Sequence, residues 1–218
     1  PGYNPTYEAN KLQLNRAAEL INNSNKPIIY AGGGSIISGA DKEINELAAK
    51  AEIPVTTTLN GIGVFDENNY LALGMLGMHG TTEANLAITN SDLIIALGAR
   101  FDDRVTGKLE EFAVDADVIH IDIDPAEIAK IVETKVPITA DVKLALDKLI
   151  PKINEVKRPA WLKEIKEWKK IDQKADPEKN QKLLPSEIIE TLYYLTAGKA
   201  IITAGVGQHQ MWAAQYYK

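Results

Sequence analysis

The sequence of 218 residues contains no cysteine. Disulfides, thiolate nucleophiles and zinc sites built on cysteine are excluded together. A thiol-free chain suits a reducing compartment, so a cytoplasmic location is expected. No apolar run comes near the roughly 18 residues that a membrane-spanning helix needs, so no membrane partner is expected. Positive charge is short: 24 Lys and Arg face 30 Asp and Glu, a formal net charge of -6. No cluster of Lys and Arg makes up a basic face, so no nucleic-acid partner is expected. The opening Pro1-Gly2-Tyr3-Asn4-Pro5 has no initiator Met, basic stretch or apolar stretch, and it is not expected to be a signal peptide. Its prolines push their predecessors into extended geometry, and the opening reads as a linker within something longer. What is there is ordinary for a folded chain. Hydrophobic residues at 45% and charged residues at 25% supply a core and a solvated surface. The length suits one large α/β domain, or one domain with a piece of another.

Apolar periodicity places an amphipathic helix over residues 11–23, with Leu12, Ala17, Ala18 and Ile21 on one side. Short buried strands are expected at 27–31, 53–58, 92–97 and 117–122, with a last one at 136–138. Helices are expected at 38–51, with Ile44, Leu47 and Ala48 inward, and from a Thr81 or Thr82 cap through Ile88. Pro125 opens a short helix at a favoured first-turn position, and a final helix covers 141–153. Residues 71–78 are apolar but punctuated by Gly74 and Gly77. Continuous apolar strands, each followed by a helical pattern, indicate a parallel sheet covered on both faces. The expected fold over residues 1–155 is a doubly wound, Rossmann-like α/β sandwich, with ligands outside the carboxyl ends of the strands.

Composition shifts after about residue 155. Residues 157–182 are rich in Lys and Glu, carry Trp161 and Trp168 at helical spacing, and break at Pro177. For 156–184 the expectation is a surface helix and linker rather than a binding patch. Leu184-Pro185-Ser186 then opens a new unit: a helix over 186–195, a strand over 200–203, and a glycine turn into a helix over 211–217. A βα unit with no sheet around it is expected to be the truncated start of a second domain, residues 185–218.

The glycine turns carry the chemistry. Gly32-Gly33-Gly34 follows a strand and permits close backbone approach to a ligand, or is simply a tight turn. It is not the dinucleotide fingerprint, because Ile37 stands where a third glycine belongs. Gly77-Met78-His79-Gly80-Thr81-Thr82 precedes a helix, so unpaired N–H groups there can face an anion. His79 is either a hydrogen-bonded turn residue or a cofactor contact, with no nucleophile nearby to activate. Gly98-Ala99-Arg100-Phe101-Asp102-Asp103-Arg104 ends a strand with two arginines and two acids. That set either binds a diphosphate or satisfies itself as surface salt bridges. Asp102 and Asp103 resemble a metal pair, but nothing completes a site, and no metal ligand and no catalytic residue is assigned. His120-Ile121-Asp122-Ile123-Asp124-Pro125 ends another strand. Asp122 is placed to accept ribose hydroxyls, Asp124 to cap a helix, and His120, among apolar neighbours, reads as structural. Gly205-Val206-Gly207-Gln208-His209-Gln210 suggests a second phosphate cradle.

Taken in order, the linker and these motifs resemble the large catalytic subunit of the acetolactate (acetohydroxyacid) synthase family. The matching stretches include Ala31-Gly32-Gly33-Gly34, Leu76-Gly77-Met78-His79-Gly80-Thr81, Gly98 through Arg104 to Gly107, Ile121-Asp122-Ile123-Asp124-Pro125, and Gly205 through Trp212. The resemblance implies the centre of a three-domain enzyme. That enzyme decarboxylates pyruvate on thiamine diphosphate and joins the two-carbon unit to a second 2-keto acid. The product is acetolactate or acetohydroxybutyrate, for branched-chain amino acid biosynthesis. FAD contacts are implied at Gly33, Gly34, Thr58, Leu59, Gly77, Met78, His79, Gly80, Gly98, Arg100, Arg104, Val105, Asp122, Ile123 and Asp141. Met78, Asp103 and Arg104 are implied at the substrate channel. Val206, Gly207, Gln208 and His209 match the segment that holds the pyrophosphate of thiamine diphosphate. Also implied for the full-length protein are Mg, a homodimer or tetramer, and a regulatory small subunit. The Glu that activates the aminopyrimidine and the Asp/Asn motif that binds magnesium find no match in these residues, so the chain alone is expected to be inactive. The alternative is a flavin-free middle domain of another thiamine-diphosphate-dependent decarboxylase. A free-standing nucleotide module and a pure scaffold fit the motifs less well.

Overall fold

Six strands build one sheet in the order β3-β2-β1-β4-β5-β6, every neighbouring pair parallel. The computed structural model describes residues 4–173 and 183–218. Pro1, Gly2 and Tyr3 of the expected linker and the break at Pro177 lie outside them. The strands are β1 (Pro27–Ala31), β2 (Val55–Thr57), β3 (Ala72–Met75), β4 (Leu93–Leu97), β5 (Asp117–Asp122) and β6 (Val136–Thr139). The chain winds outward from β1 to β3, crosses back, and winds outward again from β4 to β6. Strands β1 and β4 therefore lie side by side while their following connections diverge. A crevice opens at such a switch point, outside the carboxyl ends of the two strands.

Both central strands are buried at every position, as a sheet covered on both faces requires. Strand alternation sorts the side chains into two layers. Ile29, Ala31, Ile95, Leu97, Ile119 and Ile121 pack with helices α1 (Lys11–Asn23), α3 (Asp41–Ala51) and α6 (Val142–Leu149). Ile28, Tyr30, Ile94, Ala96 and Val118 pack with α4 (Thr82–Asn90) and α7 (Pro159–Gln173). The short helices α2 (Gly33–Ser38) and α5 (Asp103–Thr106) follow β1 and β4, and α8 (Pro185–Thr196) and α9 (Gln208–Tyr216) come last.

Local chemistry explains the starts and stops. The Asn10 side chain accepts from Leu12 N–H and caps α1, which buries Leu14, Ala17, Ala18 and Ile21 at helical spacing. Leu12, expected inward, lies off that stripe and is 71% exposed. The helix expected at 38–51 forms as α3 from Asp41, preceded by the short helix α2, which Gly39 at φ 66 ends in the left-handed region. The apolar run at 71–78 contains β3, which the sequence reading left unassigned. Gly74, at φ +74, sits where its register against β2 shifts. Thr81 caps α4 as expected, accepting from Ala84 N–H. Pro125 opens no helix: the Asp124 carboxylate accepts from Ala126 N–H, but the chain turns and Ala129 adopts a left-handed φ of 57. Helix α6 gives way to a 3-10 turn at Ile150–Lys152, since Pro151 has no N–H to continue the α ladder.

The charged segment after residue 155 differs most from expectation. Helix α7 carries a buried face in which Trp161 and Ile165 join the core beneath α4. Trp161 Nε1 donates to Pro27 O at 3.1 Å, and the Trp168 ring meets Trp161 edge-on at 5.7 Å. Just before it, buried Arg158 donates to Ala51 O, to Ile21 O at 3.0 Å and to Ser24 O at 3.3 Å. These are carbonyls at the ends of α3 and α1, where unpaired acceptors and the helix dipole both favour a cation.

Helices α8 and α9 pack mainly on each other, with the Tyr193 and Tyr217 rings edge-on at 5.5 Å. Neither helix buries a residue fully. The strand expected at 200–203 does not form. Residues 201–205 have no secondary structure, and Ile201 is 93% exposed. An extended segment becomes a strand only beside a partner whose N–H and C=O groups complete its ladder. No helix among the described residues is long and apolar enough to cross a membrane.

Candidate functional site

The site is built where the chain leaves β1 and β4. A Cβ on Gly32 would stand 2.2 Å from Gly98 O, and one on Gly98 would stand 2.7 Å from the Gly34 backbone. Gly98 also needs its positive φ of 56. Gly34 N–H donates to Gly98 O at 3.0 Å, tying the two turns together. These glycines therefore serve loop-to-loop packing first. Holding the loops this tightly leaves a cavity of about 870 Å³ along the switch point, within the roughly 300–1,000 Å³ usual for ligand pockets.

Among the residues singled out from sequence, Gly33, Gly34, Thr58, Leu59, Met78, His79, Gly98, Arg100, Arg104, Val105, Asp122 and Val206 line this cavity. Gly77, Gly80, Asp103, Ile123, Asp141, Gly207, Gln208 and His209 do not. Asp141 has other work: it caps α6 through Leu144 N–H and accepts from Ser38 Oγ at 2.9 Å, fastening α2 to α6. Gly207, Gln208 and His209 start α9 beside Val206, Gln210 and Met211, which do reach the cavity.

The turn at 77–81 corrects one expectation. Its N–H groups were to face an anion, but four of them are spent internally. Gly77 N–H donates to Asn85 Oδ1, Met78 N–H to Arg104 O, Gly80 N–H to Gly77 O, and Thr81 N–H to Met75 O. Gly77 and Gly80 permit this folding back, since a Cβ on either would meet backbone oxygen at 2.7 Å or less. The turn instead presents the side chains of Met78 and His79, both exposed.

The arginine and aspartate cluster does not satisfy itself. Asp102 caps α5, accepting from Arg104 N–H at 2.9 Å. Arg104 and Asp103 approach only to 3.9 Å, with side chains 71% and 89% exposed, an arrangement worth little in water. Arg100 lines the cavity with no carboxylate partner among the described residues. On the neighbouring strand, Asp122 at the end of β5 is buried and accepts from Asp124 N–H at 2.9 Å. Burial pushes its carboxyl above the ordinary range, against the pull of that hydrogen bond and of His120. Asp124 and Glu127 line the cavity too. The cavity thus carries two guanidinium groups, Arg100 and Arg104, after β4, with Asp102 between them in sequence, and the carboxylates of Asp122, Asp124 and Glu127 after β5.

Sequence reading missed several lining residues, Tyr30 and Gln210 among them. Tyr30 is fully buried in β1, and its hydroxyl has no partner. Burial, and then the charge of Asp102, push that phenol up, so at neutral pH it remains a donor. Thr58 Oγ1 and Gln210 Oε1 are likewise buried without partners, and all three residues line the cavity. Buried polar atoms are rarely left unpaired in proteins, so such a group calls for an occupant. A tyrosine inside an otherwise apolar strand is the one signal that marked this in the sequence. No group of three or more His, Asp or Glu able to hold a metal occurs among the described residues.

With this geometry in place, the comparisons with known proteins fall into line. Residues 14–149 match the model of the thiamine pyrophosphate enzyme central domain. The chain belongs to this family. The matched region of the thiamine pyrophosphate enzymes runs from α1 to the end of α6 and so holds the whole sheet. An acetolactate synthase large subunit of Cyanidium caldarium is 48% identical, over 99% of this chain and 38% of that protein. A probable acetolactate synthase large subunit of Methanocaldococcus jannaschii is 46% identical, over 100% of this chain and 38% of that protein. The acetolactate synthase isozyme 3 large subunit of Escherichia coli is 41% identical, over 99% and 39%. The chain therefore spans less than two fifths of the length of these relatives.

Proposed function

We propose that this chain is the central portion of an acetolactate synthase large subunit and that the cavity at the β1–β4 switch point binds FAD. The observation that carries the reading is one cavity lined by both an arginine without a carboxylate partner, Arg100, and a buried carboxylate, Asp122. A dinucleotide has the matching pattern, an anionic diphosphate between two arms, one of which ends in ribose hydroxyls. Arg100 and Arg104 face the diphosphate, and Asp122 accepts from the adenosine ribose. The orphan donors of Tyr30 and Thr58 and the glycine backbones of the β1 and β4 turns meet the rest. The donor set fits the group.

In the whole protein, Val206, Gly207, Gln208 and His209 lie along the pyrophosphate of thiamine diphosphate, with Mg held by residues beyond these 218. When bound, thiamine diphosphate supplies the chemistry that joins one 2-keto acid to another. What these residues contribute in this reading is binding and orientation. The chain alone is accordingly inactive, and detectable acetolactate formation by it would overturn that part of the proposal. A cytoplasmic location, assembly of the whole protein as a homodimer or tetramer, and a regulatory small subunit belong to the same reading.

The test is the flavin absorbance of the purified chain after adding FAD and desalting. Retained flavin in the wild type, with affinity weakened about tenfold or more in Arg100→Ala and Asp122→Ala, is expected for lost charged hydrogen bonds. A folded wild type that retains no flavin at any FAD concentration contradicts the reading and favours a flavin-free relative.

A further inference from the structure

His120 sits in the middle of β5 at 1% exposure; neither ring nitrogen has a partner at full hydrogen-bonding geometry, and the Ala99 backbone faces the ring as a weak acceptor. Strand register sets it beside Ala96 of β4, which is beside Tyr30 of β1. Phe101 closes over this row, edge-on to His120 at 5.5 Å and tilted against Tyr30 at 5.5 Å. An aromatic or aliphatic residue would fill the slot with no polar atom left over. A buried imidazole with no well-formed hydrogen bond costs stability, so packing alone does not account for it.

Two residues along the same face of β5, Asp122 reaches the cavity. One of its oxygens is held by Asp124 N–H at 2.9 Å. The other lies 3.9 Å from His120 Nε2, too far for a hydrogen bond but within reach of one after a small rotation of the carboxylate. The groups that face this pair are Asp124, Glu127 and the backbone of Ala99. None of them provides a competing cation, but the Ala99 backbone competes with Asp122 as an acceptor for the ring's N–H. Burial holds the ring below its ordinary range, so at neutral pH it is uncharged and carries one N–H.

We infer that His120 is a positioning residue for Asp122: its Nε2–H closes onto the free carboxylate oxygen and fixes the orientation in which Asp122 accepts a ligand's vicinal hydroxyls. Each carboxylate oxygen keeps a second lone pair for a hydroxyl, so the two protein donors and the ligand do not compete. The inference rests on the proposed role of Asp122 toward a ribose. It adds that the carboxylate is set by a buried partner that touches no ligand.

The experiment measures FAD and FMN affinity and thermal unfolding for the 218-residue chain, His120→Phe and His120→Gln. FMN shares the flavin and first phosphate of FAD but lacks the adenosine ribose. His120→Phe keeps the ring stack and removes both nitrogens. It is expected to weaken FAD about tenfold, leave FMN unchanged, and unfold at the same temperature or higher. His120→Gln, which brings an amide N–H near the Nε2 position, recovers most of the FAD affinity. Unchanged FAD affinity in His120→Phe overturns the inference while leaving the cavity reading intact. Equal weakening of FAD and FMN together with a lower unfolding temperature, or failure of both His120→Phe and His120→Leu to fold, assigns His120 a structural role and also overturns it. A wild type that binds neither flavin brings down the cavity reading and this inference with it.

Discussion

The sheet region and the final two helices are made from the same kinds of sequence, and they come out differently. Gly98 follows an apolar stretch and precedes a helix, and so does Gly207. At Gly98 an added Cβ meets main chain at 2.7 Å, because a second glycine loop presses against it. At Gly205 and Gly207 the nearest atoms are those of the His209 ring, at 3.5 and 3.0 Å. The first turn is fixed by its neighbours and walls a cavity. The second is fixed by little, and Val206 beside it is 98% exposed. Within the described residues, a glycine turn is tightly held only where the sheet places a second loop against it. In the last unit Ile201, Tyr194 and Leu195 remain mostly exposed, so its apolar content is not used within the described residues.

This contrast can be tested by paired substitutions, read by denaturant unfolding. The largest expected effect is at the charged helix that turned out to be core. Trp161→Ala should cost about 3–5 kcal/mol, whereas Tyr194→Ala, 77% exposed, should stay within about 0.5 kcal/mol. Next comes Gly98→Ala, expected to cost about 2–4 kcal/mol through left-handed strain and collision with Gly34. Gly205→Ala, with only the His209 ring in range, should be nearly neutral. Equal losses at Gly98 and Gly205 would break the comparison. Arg158→Met is expected to cost about 1–3 kcal/mol, since it strands the carbonyls at the ends of α1 and α3. The exposed pair Lys170 and Glu167 should show nothing measurable.

The smallest effect is on pH dependence. Burial depresses the His120 pKa from 6.5, so the unfolded chain takes up a proton as pH falls through 6.5 before the folded chain does. Its contribution to stability is full above 6.5 and declines as pH drops toward the folded value. Asp122 acts oppositely. Its raised carboxyl makes the folded form bind the proton first, which favours folding as pH falls toward 3.8. His120→Phe should therefore flatten the decline just below pH 6.5. An unchanged slope there would show that the imidazole is not held neutral by burial.

How much of this was legible depended on where the deciding neighbour lay. Strands β1, β4 and β5 were readable because each is an apolar run bounded by turn residues. Strand β3 was obscured by Gly74, whose place at a register shift only the pairing with β2 reveals. Residues 200–203 have strand composition and no neighbour, so propensity alone misled. Arg158 and Trp161 were hidden among lysines and glutamates, because a helix that is polar on one face dilutes the signal of its buried one. In the site, Gly34, Gly98, Arg100 and Asp122 followed from the rule that ligands sit at carboxyl strand ends. The spent N–H groups at 77–81 depend on Asn85 and on Arg104 O, contacts that no local pattern announces. Tyr30 and Gln210 needed side-chain direction, which the sequence does not carry.

The most direct test of the central claim, that the β1–β4 switch point is where FAD sits, is hydrogen exchange of the chain with and without FAD. Slowed exchange confined to the loops after β1, β2, β4 and β5, around Gly33, Thr58, Arg100 and Asp124, with residues 186–205 unchanged, is the predicted result. No slowing in those loops, or slowing confined to other parts of the chain, would contradict the account.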